Sequence, residues 1–241
     1  MIQKMIKKKK SLLRRLYVRT LLKAQIKADL LRLGSDYGGY NVVKDALADN
    51  GELIIYSFGV GEDLTFSEAA IKRLQCEVYA FDPTPKAINY VKKHCIYANP
   101  GFHFFEYGIS DKDAERTFYL PRNTQFVSGS LKYNTELSNE GMINVKVRTL
   151  KTIMDELGHT HIDVLKLDIE GEEFSVINNI MQDQISIGQI CVEVHDRFFD
   201  DGTERLKELK YALIKNDYRI AYVSKNYEEI TFVNMGWLKD E

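Results

Sequence analysis

Cysteine is scarce in this chain. The three residues, Cys76, Cys95 and Cys191, are scattered without paired spacing. No zinc pattern and no disulfide framework follows, so a reducing, cytoplasmic setting is expected. Long apolar runs are also missing; none approaches the ~20 residues of a membrane span. The N-terminus starts basic but has neither an uninterrupted apolar core nor a small-residue cleavage site, so a secretory signal is not expected. No internal repeat occurs, and Lys7–Lys10 is the one low-complexity tract. What remains is 241 residues, 44% hydrophobic and 28% charged, enough for one full α/β domain or two small ones.

The formal net charge of −2 conceals a division. Residues 1–33 carry 11 Lys and Arg against one acid, Asp29, whereas the remainder carries 22 basic and 34 acidic residues. Leu12, Leu13, Leu16, Leu21, Leu22, Ile26 and Leu30 recur near helical spacing among these cations. The pattern predicts a basic amphipathic helical extension over 1–33, ahead of a main domain over 34–241. Such a helix can lie on an anionic membrane surface, making the protein peripheral to the membrane, or pack as an extra layer on the acidic domain. No specific nucleic-acid motif accompanies it.

The densest information lies between Leu53 and Asp82. An apolar run, Leu53–Phe58, ends at Gly59-Val60-Gly61, and a helix is expected from Leu64 to Leu74. A second run, Val78–Phe81, ends in Asp82, 21 positions after Gly61. Strand, glycine turn, helix and an acid at the next strand tip make a nucleotide site. The glycines admit close backbone approach, and the acid can accept bonds from ribose hydroxyls. A dinucleotide fingerprint needs a third glycine where Leu64 stands, and Glu62 and Asp63 put negative charge where a pyrophosphate wants bare amides. Two acids there suit a ligand bearing positive charge, such as S-adenosylmethionine with its sulfonium and ammonium.

Further along, a short helix is expected around Val42–Ala48, a helix over 86–97 behind Pro83 and Pro85, and a strand over Phe102–Tyr107. Strands flank a polar loop spanning 121–142, long enough to be functional. A helix from Thr149 to Leu157, a strand from Ile162 to acids at its tip, a helix over 172–181, and a strand over 190–196 follow. A helix over 203–216 and two strands separated by Lys225-Asn226-Tyr227 close the chain. Alternating strands and helices predict a mostly parallel sheet covered on both faces, with an antiparallel C-terminal hairpin.

This order resembles the class I methyltransferase fold, Rossmann-like with seven strands. More narrowly, the chain resembles the FkbM-type S-adenosylmethionine-dependent methyltransferases. The resemblance runs over roughly residues 33–235 and rests on Tyr56–Asp63, Val78–Pro83, Gly108-Ile109-Ser110-Asp111 and Leu165–Glu172. Ser57 departs from it, standing where an acid is usual; Glu62 or the Asp36–Tyr40 loop would then meet the methionine ammonium. The resemblance implies that Gly59 and Gly61 line the methionine and ribose, with Glu62 and Pro83 alongside. Asp82 would take the ribose, Ile109 and Ser110 would lie near adenine, and Asp168 near the methionine end. It also implies methylation of a hydroxyl, on a sugar, glycan or small natural product.

A hydroxyl acceptor must lose its proton as it attacks. Asp168, Glu170 and His195 all fall at carboxyl ends of expected strands, where open α/β sheets bind ligands. His195 titrates in the useful range and is the expected base. Asp168 would orient cofactor or acceptor; Glu170 would do the same or cap the following helix. Asp168, Glu170, Glu193, His195 and Asp196 also have the chemistry of a divalent-cation site, an alternative the pattern does not favour. Two other readings stand beside this one. Tyr211 and Lys215 have the spacing of a short-chain, NAD(P)-dependent dehydrogenase, and a methyltransferase fold can serve as a non-catalytic scaffold.

Overall fold

The computed structural model describes residues 14, 16–47, 53–121 and 137–239. The Lys7–Lys10 run and the centre of the polar loop lie outside the described residues. A short helix covers residues 16–21. Strands β1 (Leu30–Leu33) and β2 (Tyr40–Val43) follow as an antiparallel pair. Then come β3 (Ile54–Phe58), α1 (Thr65–Leu74), β4 (Glu77–Phe81), α2 (Pro85–Lys93) and β5 (Phe102–Phe105). Strands β6 (Gly108–Ile109), β7 (Ala114–Pro121) and β8 (Leu137–Arg148) form a separate small sheet. The chain continues through α3 (Leu150–Leu157), β9 (Ile162–Leu167), α4 (Glu173–Gln182), β10 (Ile187–Glu193), α5 (Gly202–Lys215), β11 (Tyr218–Val223) and β12 (Glu229–Asn234).

The main sheet has seven strands in the order β11-β12-β10-β9-β3-β4-β5. Only β12 runs against its neighbours, so the C-terminal hairpin is antiparallel as expected. Every residue of β9 is buried, as in a strand covered on both faces, including the charged Asp163 and Lys166. Helix ends follow local chemistry. Thr84 and Thr149 cap α2 and α3 through their hydroxyls, Pro85 opens α2, and Gly158 closes α3 in the left-handed region. From β3 the chain winds to β4 and β5 on one side and later to β9 and β10 on the other. Their carboxyl ends therefore separate between β3 and β9, the place where such sheets bind ligands.

Two expected elements differ. Val42–Ala48 is not a helix: Val42 and Val43 end strand β2, and a 3-10 turn spans Lys44–Ala46. The buried Gln189 amide of β10 accounts for this, accepting from the Val43 amide at 2.7 Å and donating to its carbonyl at 3.1 Å. The helix expected over 1–33 stops, among the described residues, at 21, and Leu30–Leu33 is a strand. Nor does the described part stand apart from the domain. Val18 and Leu22 are buried in the main core; Lys210 donates to the Leu21 carbonyl at 2.7 Å. The Gln25 amide and side chain bond the backbone of Ile220 in β11. Here the segment is a packed layer. No helix among the described residues is long and apolar enough to cross a membrane.

Leu22 is 2% exposed, so Leu22→Ala should cost ~2–5 kcal/mol, the range for emptying a core leucine site. Urea unfolding reads this directly. A loss under half a kilocalorie would make residues 14–26 a detachable appendage.

Candidate functional site

Gly59 sits at the sheet's switch point with φ +79°, and a Cβ there would come within 1.8 Å of the Asp168 carbonyl oxygen. Only glycine allows β3 and β9 to release their chains this close together. Gly61 is also left-handed, at +55°. Together they open the floor of a cavity of about 500 Å³ at the carboxyl edge of the sheet.

The turn is held by Asp82. One carboxylate oxygen accepts from the amides of Val60 at 3.0 Å and Gly61 at 2.9 Å; the other accepts from the Thr84 amide at 2.9 Å and hydroxyl at 2.6 Å. These four bonds fill the roughly four acceptor positions of a carboxylate. Burial pushes the Asp82 pKa up despite them. The residue expected to take ribose hydroxyls thus lines the cavity but is spent on fixing its floor. Ser110 differs too. Strand alternation turns Ile109 into the cavity and Ser110 away, fully buried, its hydroxyl 3.2 Å from carboxylate oxygens of Glu172 and Asp111. Glu62 and Pro83 line the cavity as expected, Glu62 pairing with Lys86 at 2.9 Å.

The cavity has two chemically distinct sides, set by strand order. Beyond β4 lie Phe81, Pro83, Ile109, Phe118, Val145 and Val147, the last four from the small β6-β8-β7 sheet or its edge. Beyond β9 and β10 lie Asp168, Glu170, Glu193 and His195, so the structure brings the expected catalytic residues together. His195 is 1% exposed. Its Nδ1 is 2.6 Å from Glu173, while Nε2 lies 3.4 Å from Glu170, 3.7 Å from Glu193 and 4.0 Å from Asp168. Burial opposes the imidazolium, but the bond and charge of Glu173, with the charges of Glu170 and Asp168, outweigh it and raise the pKa to about 9. Burial and the neighbouring Asp168 raise Glu193 to about 7, against the opposing pull of His195.

Donor atoms of Asp168, Glu193 and His195 lie within 4.8 Å of one another, a spacing that would admit one cation. Asp196 is not part of this group; it is buried in an ion pair with Arg14, 3.0 Å from Nε. Three participants had no role assigned from sequence. Lys166, buried within an apolar strand, donates to the Gly59 carbonyl at 2.7 Å and lies 5.3 Å from the centre of the Tyr40 ring. Glu173 resembles any first-turn helical acid, yet it is fully buried and bonds the Gly171 amide at 3.1 Å and the Ile169 amide at 3.3 Å. Its carboxylate thus closes the turn that leads into α4, and among the described residues no side chain caps the first amides of that helix. Arg197 joins the rim, 2.9 Å from Glu228. Tyr211, by contrast, is 70% exposed on α5 and away from the cavity, which removes the dehydrogenase pair from the site.

The sequence profile of the FkbM methyltransferase domain matches residues 45–220. The probable methyltransferase-like protein 24 of Homo sapiens is 28% identical over 148 residues, 61% of this chain and 33% of that protein. Its Rattus norvegicus counterpart is 26% identical over 182 residues, 71% of this chain and 43% of that protein. The chain thus spans less than half the length of the curated relatives it matches. Among solved structures, an FkbM methyltransferase from Methylobacillus flagellatus KT aligns with a TM-score of 0.48 at 14% identity. That alignment covers 76% of this chain and 43% of the other.

The charge cluster makes stability depend on pH. His195 binds its proton more tightly folded, at about 9, than unfolded, at ~6.5. Its stabilisation is complete below the unfolded value and lost as pH rises through the folded one. Glu193, raised to about 7 from ~4.3, loses its share in the same direction at lower pH. The unfolding free energy should therefore fall from pH 5 to 9, and Glu193→Gln should flatten the part between 5 and 7. A rising curve in urea titrations across that window would contradict these assignments.

Proposed function

The chain belongs to the FkbM methyltransferase family, and we propose that it transfers the methyl group of S-adenosylmethionine to a hydroxyl of a sugar, glycan or small natural product. One observation carries the cofactor choice: the cavity is apolar beyond β4 and acidic beyond β9 and β10, with a glycine-turn floor between. A flat base suits the first side and a cationic sulfonium with its ammonium suits the second. A dinucleotide would bring its pyrophosphate to Glu62 and Asp63 instead.

When bound, S-adenosylmethionine supplies a methyl carbon already activated by its sulfonium. The protein's own residues then do the rest. Phe81, Pro83, Ile109 and Val147 enclose the base. With Asp82 and the Val60 and Gly61 amides committed to one another, Glu62 meets the ribose. Asp168 faces the methionine end, and Glu170 with Asp168 holds the acceptor. His195 Nε2 would take the proton that the acceptor hydroxyl gives up on methylation, the demethylated cofactor being the leaving group. In the free protein His195 holds a proton up to about pH 9. Carboxylates engaged by a cationic cofactor would hold the imidazolium less firmly, which would free that nitrogen to act as a base.

Calorimetry should show S-adenosylmethionine binding and no binding of nicotinamide dinucleotides. With a hydroxyl acceptor in hand, His195→Ala should lower turnover by ~10²–10⁴ while cofactor affinity stays within a few-fold. Full activity in that variant would move the base elsewhere. Loss of activity with chelator, restored by magnesium, would turn the acidic side into a cation site. Cofactor binding without turnover on any hydroxyl acceptor would favour a scaffold.

A further inference from the structure

Glu173 does two things that a helix-start acid need not do together. It is 0% exposed and reaches back to the amides of Ile169 and Gly171, closing the turn after β9. That turn is strained: Glu170 has φ +52° and Gly171 φ +105°, the first unfavourable for a residue with a Cβ. The same carboxylate lies 2.6 Å from His195 Nδ1, on the neighbouring strand's exit. Phe198 lies against the imidazole with ring centres 5.1 Å apart. The other ring nitrogen, Nε2, therefore has one direction open, toward Glu170, Glu193 and Asp168. Because a carboxylate can only accept, Nδ1 must carry the hydrogen, and the neutral ring presents a bare Nε2 to the cavity.

We propose that Glu173 is the positioning residue of this site: its buried carboxylate selects the imidazole tautomer and, through the Ile169–Gly171 amides, fixes where Glu170 and Asp168 stand. The assignment rests on the reading of His195 as the base. A carboxylate that only closed the turn before α4 would need the amides but not the imidazole, and a core acid that only neutralised His195 would not need the turn. Glu173 joins two segments that carry the site's reacting and orienting groups, and it sits behind both, out of reach of any ligand.

The groups facing His195 are Glu173 from α4, Asp168 and Glu170 from the turn, and Glu193 from β10; Lys166 and Arg197 are the nearby cations. Glu173→Gln keeps the side chain's size and removes its charge. The test uses the full chain with ¹³C,¹⁵N-histidine, the His195 signal being assigned by its absence in His195→Gln. In Glu173→Gln the His195 titration should move down by ~1 unit or more, as expected for losing an adjacent opposite charge. The Nδ1–H tautomer should lose its dominance. In turnover, the rising limb of the pH profile should move to lower pH while its plateau falls ~10²-fold or more, the signature of a wrong tautomer. Glu173→Asp should recover part of the plateau.

An unchanged His195 titration and tautomer in a folded Glu173→Gln protein would overturn the proposal and leave Glu173 an acid that only closes the turn after β9. So would a lowered melting temperature with an unmoved pH profile. The nuclear-magnetic-resonance arm does not involve methyl transfer. It therefore reads Glu173 even if His195→Ala keeps full turnover and the base assignment fails.

Discussion

Much of this molecule depends on one close approach, the carbonyl of Asp168 against the Cα of Gly59. Strands β3 and β9 are neighbours, but their chains leave in opposite senses, and the gap between those exits is the cavity. Any side chain at position 59 would fill that gap with a carbon 1.8 Å from backbone oxygen. Once the approach is made, the polar groups it buries need partners. Lys166 reaches up from within β9 to the Gly59 carbonyl, and Asp82 reaches across from β4 to the Val60 and Gly61 amides. The floor is thus pinned from both sides by charged groups inside a mostly apolar sheet, and Thr84 passes the constraint on to helix α2.

The second organising feature is an imbalance of charge. Four carboxylates, Asp168, Glu170, Glu173 and Glu193, surround one imidazole. Like charges held this close in a partly desolvated site keep protons they would otherwise shed. Without a ligand, the cluster balances itself by protonating His195 and holding Glu193 near neutrality. A cationic ligand can do the same work in place of those protons, which ties ligand binding to proton release and ties both to the chemistry proposed. The N-terminal segment has a part here as well: Arg14 pairs with Asp196, the residue after His195, so a segment distant in sequence steadies the loop that carries His195.

Several of these features were legible in the sequence because they depend on local pattern. Leu53–Phe58 with Gly59 and Gly61, Val78–Phe81 with Asp82, and the buried run Ile162–Leu167 announce parallel strands whose tips line the cavity. So do Asp168, Glu170 and His195, since strand ends are where an open sheet exposes its polar groups. Less legible was anything decided by a partner far along the chain. Val42 and Val43 form a strand because they pair with Leu31 and Leu30, and Gln189, more than 140 positions later, satisfies the Val43 amide and carbonyl. Leu30–Leu33 pairs with Tyr40–Val43, and a segment of four residues is too short to have a period that tells strand from helix. Asp82 was readable as a site residue, but its four donors are visible only in three dimensions. Glu173 was hidden for the same reason, as its burial depends on the packing of α4 against the exits of β9 and β10.

The central claim is that the acidic side of the cavity accepts the cation of S-adenosylmethionine in place of the proton on His195. Calorimetric titration with S-adenosylmethionine at pH 8, repeated in buffers of differing ionisation enthalpy, measures it. The account predicts binding with net proton release, because His195, at about 9 in the free protein, loses its proton as the cation arrives; His195→Gln should bind with little or no release. Binding with no proton released, or with protons taken up, would contradict it.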